Sequence, residues 1–290
     1  MKILVTGAGG QVGRELCELV EPHHDLLALT STDLDIADRE RVLQVCGDWG
    51  PQLVLNAAAF TKVDACESDL GTAFRVNSLG PRHLAEGARL AGAHMVHLST
   101  DYVFDGSSPR PYVEWDQPNP TSVYGLSKLG GEREVLGALP GATVVRTSWV
   151  CGRYGSNMVK TVLRLAEAPG QLRFVDDQRG CPTFAGDLAG MVLRLGIARM
   201  PGLFHVTNQG ATTWYEFVRD ILSASGHSPE RVEPISTAEM VPARPAPRPA
   251  NSVLDNAGLR LSGWPLLPAY QEALARTVAW LKGSAAHAGQ

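Results

Sequence analysis

Short apolar runs alternate with stretches of helical period through the first half of the chain. Runs at 2–6, 26–30, 53–56, 95–99 and 143–147 read as buried strands, and the segments 11–20, 39–46, 74–90 and 127–136 read as helices. That alternation is the sequence form of repeated βαβ units, which bury a parallel sheet between two helical layers. The pattern predicts an α/β protein whose core is a Rossmann-like doubly wound parallel sheet over residues 1–150.

Beyond 150 the rhythm loosens. Helices are predicted at 158–167, 187–195, 214–224 and 270–280, strands at 172–175 and 203–206, and the proline-rich stretch 242–249 reads as an extended loop. Some of these segments are expected to extend the sheet and others to cap it. The expected organisation is a domain at 1–150, extended by parts of 171–206 and 235–257, with 151–290 mainly a smaller, interleaved C-terminal lobe.

The charge balance removes one class of partner. Against 30 Asp plus Glu the 290 residues set 26 Lys plus Arg, a net charge of −4, so the basic excess that holds nucleic acid is lacking. No apolar run approaches the roughly 20 residues that span a bilayer, and the short run at 3–5 meets glycines too early for a signal-peptide core. A cytoplasmic protein without nucleic-acid or membrane partners is expected. The five cysteines, Cys17, Cys46, Cys66, Cys151 and Cys181, are an odd number with no C-x-x-C pair, which predicts reduced packing residues and neither disulfides nor zinc.

The first candidate chemistry follows the first strand directly. Gly7, Gly10 and Gly13 open a helix, and glycines there let a pyrophosphate approach backbone N–H groups at a positive helix N-terminus. About 20 residues on, where a dinucleotide fold often places an acid for the ribose hydroxyls, the chain offers Thr30 and Ser31. With no carboxylate to repel a 2′-phosphate, NADPH fits at least as well as NADH. Asp33 and Asp35 lie slightly later and read either as a turn or helix cap or, for Asp35, as an adenine contact.

The second candidate is Tyr124 with Lys128. Four residues apart at a predicted helix start, they share one face, and each type is scarce here: six Tyr, and Lys only at 2, 62, 128, 160 and 282. A phenol with pKa near 10 is a poor acid, and a neighbouring ammonium is expected to lower it. Upstream, Ser99 and Thr100 end a strand at the sheet's carboxyl edge, where the Thr100 hydroxyl can share a substrate oxygen with Tyr124.

This combination resembles the extended short-chain dehydrogenase/reductase family. The segments 56–64, 99–106, 124–132, 146–150 and 175–183 are similar to those of the family of dTDP-4-dehydrorhamnose reductases, over a span from Lys2 to about Asp255. The resemblance implies NAD(P)H-dependent reduction of the 4-keto group of a dTDP-4-dehydro-6-deoxy-L-mannose to dTDP-L-rhamnose. It implies that Tyr124 donates the proton, that Lys128 holds the nicotinamide ribose and tunes Tyr124, and that Thr100 completes the set. Gln11 and Val12 would join the glycines at the pyrophosphate, Asp35 and Ile36 would meet the adenine, and Ala57, Ala58, Ala59 and Thr61 would line the cofactor. Val63, Asp101, Tyr102 and Trp149 would contact the sugar, and Asn157 and Arg248 are candidates for the substrate diphosphate or, equally, for loop-stabilising roles. An indole at 149 can cover an apolar sugar face or the nicotinamide, or simply pack in the core. His205 reads as a hydrogen-bonded strand residue, and Asp176 and Asp177 as a turn.

Two departures from the family pattern stand out. Cys151 replaces a usual aromatic residue after Trp149-Val150. Some members dimerise through Mg²⁺ held by three glutamates, and here Glu15 is matched by Gly186 and Trp280 at the other two places, so no structural Mg²⁺ and a monomer or weak homodimer are expected. The rival readings are a reductase of a related dTDP-keto-deoxysugar, an epimerase, and a non-catalytic nucleotide-binding regulatory subunit. A 4,6-dehydratase fits less well, because Thr100 is followed by Asp101-Tyr102 and not by the Asp-Glu pair of such enzymes.

Overall fold

The computed structural model describes residues 1–288, with side chains as far as Ser284. The first half runs β1 (Lys2–Thr6), α1 (Gln11–Leu19), β2 (Asp25–Leu29), α2 (Arg39–Trp49), β3 (Leu53–Asn56), α3 (Val63–Ser68), α4 (Leu70–Phe74), α5 (Gly80–Ala91), β4 (His94–Thr100), α6 (Val123–Ala138) and β5 (Thr143–Thr147). The second half continues with β6 (Val150–Cys151), α7 (Met158–Ala166), β7 (Leu172–Val175), β8 (Arg179–Gly180), β9 (Thr183–Phe184), α8 (Ala185–Ile197) and β10 (Gly202–His205). It closes with β11 (Thr212–Thr213), α9 (Trp214–Ala224), β12 (Val232–Ile235), α10 (Ala257–Leu261) and α11 (Tyr270–Ala288).

Six strands form one sheet in the order β10-β5-β4-β3-β1-β2, and every pairing in it is parallel. Both faces of β1, β3, β4 and β5 are covered, which is why these strands read as continuous apolar runs, whereas the edge strand β2 is largely exposed. Ile3, Val5, Leu55, Val96 and Val145 pack toward α1 and α8, while Leu4, Val54, Met95 and Val144 pack on the opposite side with residues of α2, α5 and α6. The strand order reverses between β1 and β3, and a crevice at the carboxyl ends of strands beside such a reversal is where open α/β sheets bind ligands.

Residues after 150 divide between two cores. Helix α8 and strand β10 join the main sheet. Val159 and Val162 of α7, Phe217 and Ile221 of α9, and Leu274 and Val278 of α11 build a separate apolar cluster. Short pairs β12·β7, β11·β8 and β6·β9 flank it.

The single helix expected at 74–90 is broken in the structure. Helix α4 passes into a π-helical turn, Arg75–Leu79, before α5 begins with Pro81 in its first turn. The wider turn puts Asn77 and Ser78 inward, where they bond the neighbouring loop and α6. Helix α3, at six residues, was not legible because it is too short to display a period.

One buried ion pair fixes α6 against the sheet. Glu132 accepts two hydrogen bonds from Arg146 of β5, at 2.8 and 2.7 Å, and a third from the Ser99 hydroxyl of β4, all of it out of water. Removing one partner strands the other charge, so Glu132→Ala is expected to cost about 3–5 kcal/mol of stability. Urea unfolding checks this, with a lowered midpoint at unchanged slope as the expected result.

Candidate active site

The cofactor end of the crevice is built by the β1–α1 turn. Gly7 adopts φ +70°, and a Cβ there would lie 2.5 Å from the Ala58 backbone nitrogen, so only glycine closes the turn against the β3 loop. Helix α1 starts at Gly10 with no side-chain cap, which leaves its first N–H groups free to meet an anion. Gly13 lies behind the turn, against the Gly7 carbonyl, and lets α1 approach closely. Thr30, Ser31, Asp35, Ile36 and Ala58 line a pocket of about 410 Å³ together with Gly7. Asp33 turns back to accept from the Thr30 backbone and hydroxyl, and Asp35 pairs with Arg75 at 2.8 Å, so no free carboxylate stands in this pocket.

Gly10, Ala57 and Ala59 also line the next cavity, of about 520 Å³, so the two spaces adjoin across these residues. Its walls hold Gln11, Val12, Thr61, Val63, Thr100, Asp101, Tyr102, Tyr124, Lys128 and Trp149, as well as Trp214. The local reasons are plain. Thr100 is the last residue of β4, its hydroxyl accepting from the Tyr102 backbone and donating to Asp101 Oδ1 at 2.9 Å. Ser122 caps α6, placing Tyr124 in the first helical turn and Lys128 one turn on.

The electrostatics correct one expectation. Burial pushes the Tyr124 phenol well above its ordinary value, partly offset by the Thr100 hydroxyl, and the Asp101 and Tyr102 side chains push it further up. No lowering from Lys128 offsets this, and the ammonium donates to the Leu98 carbonyl at 2.5 Å. Lys128 itself is pushed down to about 8 by burial, against a smaller upward pull from Glu132. Asp101 is pushed up to about 6 by burial, with Thr100 among the hydrogen bonds that oppose the shift. A phenol held protonated and a lysine held near its midpoint make a donor beside a positive charge that pH can remove.

Trp149 is a cavity wall and not only a packing residue. It adopts φ +47° and stacks flat on Trp214, centroids 3.6 Å apart. Gly180 passes beneath, where a Cβ would lie 2.4 Å from the Trp149 ring. On the far side of Tyr102 and Trp214 opens a second cavity of about 500 Å³, bordered by Arg173, Arg244 and Arg248. Arg248 closes its fork on Asp64 at 2.5 and 2.8 Å, with Arg244 on the same carboxylate. The two guanidiniums hold Asp64 down to about 2 and leave excess positive charge at this mouth.

Asn157 stands apart from both cavities. Its amide donates to Gln11 Oε1 and the Gly152 carbonyl, and its oxygen caps α7 through the Lys160 N–H, so it has little left for a ligand. His205 is the buried strand residue expected, its Nδ1 against the Tyr112 and Asp255 carbonyls. Glu15, Gly186 and Trp280 do meet at one small cavity, with Arg153 paired to Glu15. Among the described residues no group of three or more His, Cys, Asp or Glu could hold a metal ion.

Sequence reasoning passed over Trp214, Asn77, Arg173 and Arg244. Trp214 lies 65 positions from Trp149, and only the fold brings the rings together. Asn77 holds the backbone N–H and carbonyl of Phe60 at 2.8 and 3.0 Å, fixing the loop that carries Ala57, Ala58, Ala59 and Thr61. Arg244 had a signal, a basic residue in a proline-rich loop that would otherwise be inert.

A parallel sheet with an uncapped glycine turn, and a strand-end Thr facing a Tyr-x-x-x-Lys helix across one cavity, defines an extended short-chain dehydrogenase/reductase. The likeness to known proteins is more specific. The family model described as RmlD substrate binding domain matches residues 1–282, and the chain belongs to that family. It is 41% identical over 288 residues to the dTDP-4-dehydrorhamnose reductase of Mycobacterium tuberculosis, covering 96% of this chain and 92% of that one. It is 42% identical to a probable dTDP-4,6-dihydroxy-2-methyloxan-3-one 4-ketoreductase of Streptomyces antibioticus, covering 94% and 93%. The crystal structure of a dTDP-4-dehydrorhamnose reductase from Bacillus anthracis in complex with NADP matches with TM-score 0.92 and 37% identity, over 95% of this chain and 98% of that one.

Proposed function

We infer that this protein is an NAD(P)H-dependent reductase that converts dTDP-4-dehydrorhamnose to dTDP-L-rhamnose. The observation that carries the reading is one cavity lined both by the N-terminus of α1 and by Thr100, Tyr124 and Lys128, with a second cavity adjoining it at Gly10, Ala57 and Ala59. The residues fit the cofactor: a turn that a Cβ would block, an uncapped helix start and a buried lysine on the cavity wall, anchored by the Leu98 carbonyl. When bound, the nicotinamide supplies the hydride.

The chain's own groups do the rest. Tyr124, protonated at neutral pH, donates its proton to the 4-oxygen as that oxygen becomes a hydroxyl. Thr100 turns its O–H from Asp101 to the same oxygen and stabilises the developing charge. Lys128, on the wall of the same cavity, would hold the nicotinamide ribose. The Trp149–Trp214 stack covers the sugar and excludes water. The arginine-rimmed second cavity takes the dTDP diphosphate, Arg173 and Arg244 joining Arg248, so the lobe of α7, α9 and α11 carries substrate recognition.

The Thr30, Ser31 and Asp35 pocket has no free acid against a 2′-phosphate, so both NADPH and NADH are accepted. No described helix is long and apolar enough to cross a membrane. We place the enzyme in the cytoplasm, as a monomer or weak homodimer without structural Mg²⁺. The test is NADPH or NADH consumption dependent on dTDP-4-dehydrorhamnose, with dTDP-L-rhamnose identified as product. Consumption only with another dTDP-keto-deoxysugar would move the substrate and keep the chemistry. No consumption with either would leave the regulatory reading.

A further inference from the structure

Residues 152–157, between β6 and α7, cross the N-terminal part of α1. Gly155 and Ser156 line the main cavity on the same stretch as Gly10, Gln11 and Val12. Gly155, at φ +64°, lies so close to Gln11 that a Cβ would meet its Cγ at 2.9 Å. An anion at the N-terminus of α1 would therefore share its stretch of the cavity with this segment.

The segment is tied to α1 by side chains that the reaction does not use. Arg153 donates from Nε to Glu15 Oε1 at 2.9 Å and from Nη2 to both Glu15 Oε2 and Glu18 Oε2, the last at 2.9 Å. The Tyr154 hydroxyl donates to the other Glu18 oxygen. Glu15 is fully buried while Glu18 is half exposed, so one half of the tie lies inside the protein and the other reaches solvent. The Arg153 guanidinium also lies 5.5 Å from the Trp280 ring, which braces it from α11. At the far end Asn157 joins Gln11 to the cap of α7.

We propose that 152–157 is a cover over the cofactor diphosphate, and that the Arg153–Glu18–Tyr154 latch sets the rate at which the cofactor leaves. Half-exposed ion pairs and hydrogen bonds contribute little each, so such a latch opens without unfolding the lobe behind it. A reductase must exchange its cofactor every turnover, which makes this rate consequential. The inference rests on the reading of the crevice as an NAD(P)H site.

The test is NADPH dissociation, followed by nicotinamide fluorescence in stopped flow after a chase with excess NADP⁺, in the intact protein. The double variant Glu18→Gln, Tyr154→Phe leaves the buried Glu15–Arg153 pair in place and is expected to raise the rate about three- to tenfold. Arg153→Met should raise it further. Affinity for dTDP, measured by calorimetry, should not change. An unchanged rate in both variants overturns the cover, and so does a parallel loss of dTDP affinity, which would mean a general loosening. Failure of the wild type to bind NADPH would overturn the reading of the crevice and the cover with it.

Discussion

Tyr124→Phe is expected to lower kcat about 10²- to 10⁴-fold, the range for removing a general acid, with NADPH affinity nearly intact. Tyr124 packs edge-on to Tyr102, 5.6 Å between centroids, and a phenyl ring fills the same space, so the cavity keeps its shape and loses one hydroxyl. Because burial holds that phenol protonated well past neutral pH, its loss is a loss of donor and not of a charge. Steady-state turnover and fluorescence titration of NADPH separate the two effects. An unchanged kcat would contradict the assignment of the acid.

Lys128→Met is expected to damage turnover and cofactor affinity together, the latter by about ten- to a hundredfold for a lost charged hydrogen bond. A change confined to the sugar KM would contradict the double role. The lysine also predicts a pH limb. Its folded pKa of about 8 lies below the ordinary 10.5, so the ammonium is present below pH 8 and disappears as pH rises through it. Wild-type kcat/KM should therefore fall above pH 8, and the variant should lack that limb. The sign for stability is opposite. Between 8 and 10.5 the unfolded chain holds a proton that the folded chain has released, so this group's burden on the fold is relieved as pH rises.

The parts of the molecule that follow a local period were legible in the sequence. The β1–glycine–α1 unit reads directly because its strand, turn and helix are contiguous, and the same holds for Tyr124 and Lys128 on α6, whose Ser122 cap was not read. What depended on distant partners was not. Trp214 reads as a helix start until the fold stacks it on Trp149, and Asn77 reads as mid-helix until a π-helical turn aims it at Phe60. The shift at Tyr124 took the opposite sign from the expected one because spacing identifies a neighbour and says nothing of burial. Lys128 spends its proton on the Leu98 carbonyl, a partner that no spacing rule names. For Asn157 the sequence left a ligand contact and a loop-stabilising role equally open, and its side chain bonds Gln11 and caps α7.

In the proposed reaction a reduced nicotinamide gives its hydrogen to the sugar C4 while Tyr124 supplies the proton. Turnover of dTDP-4-dehydrorhamnose with NADPH carrying deuterium at the transferable position of the nicotinamide tests that claim most directly. The predicted result is dTDP-L-rhamnose with one deuterium at C4 and one equivalent of cofactor oxidised per sugar. Product without deuterium, or sugar isomerised with no net oxidation of cofactor, would contradict it.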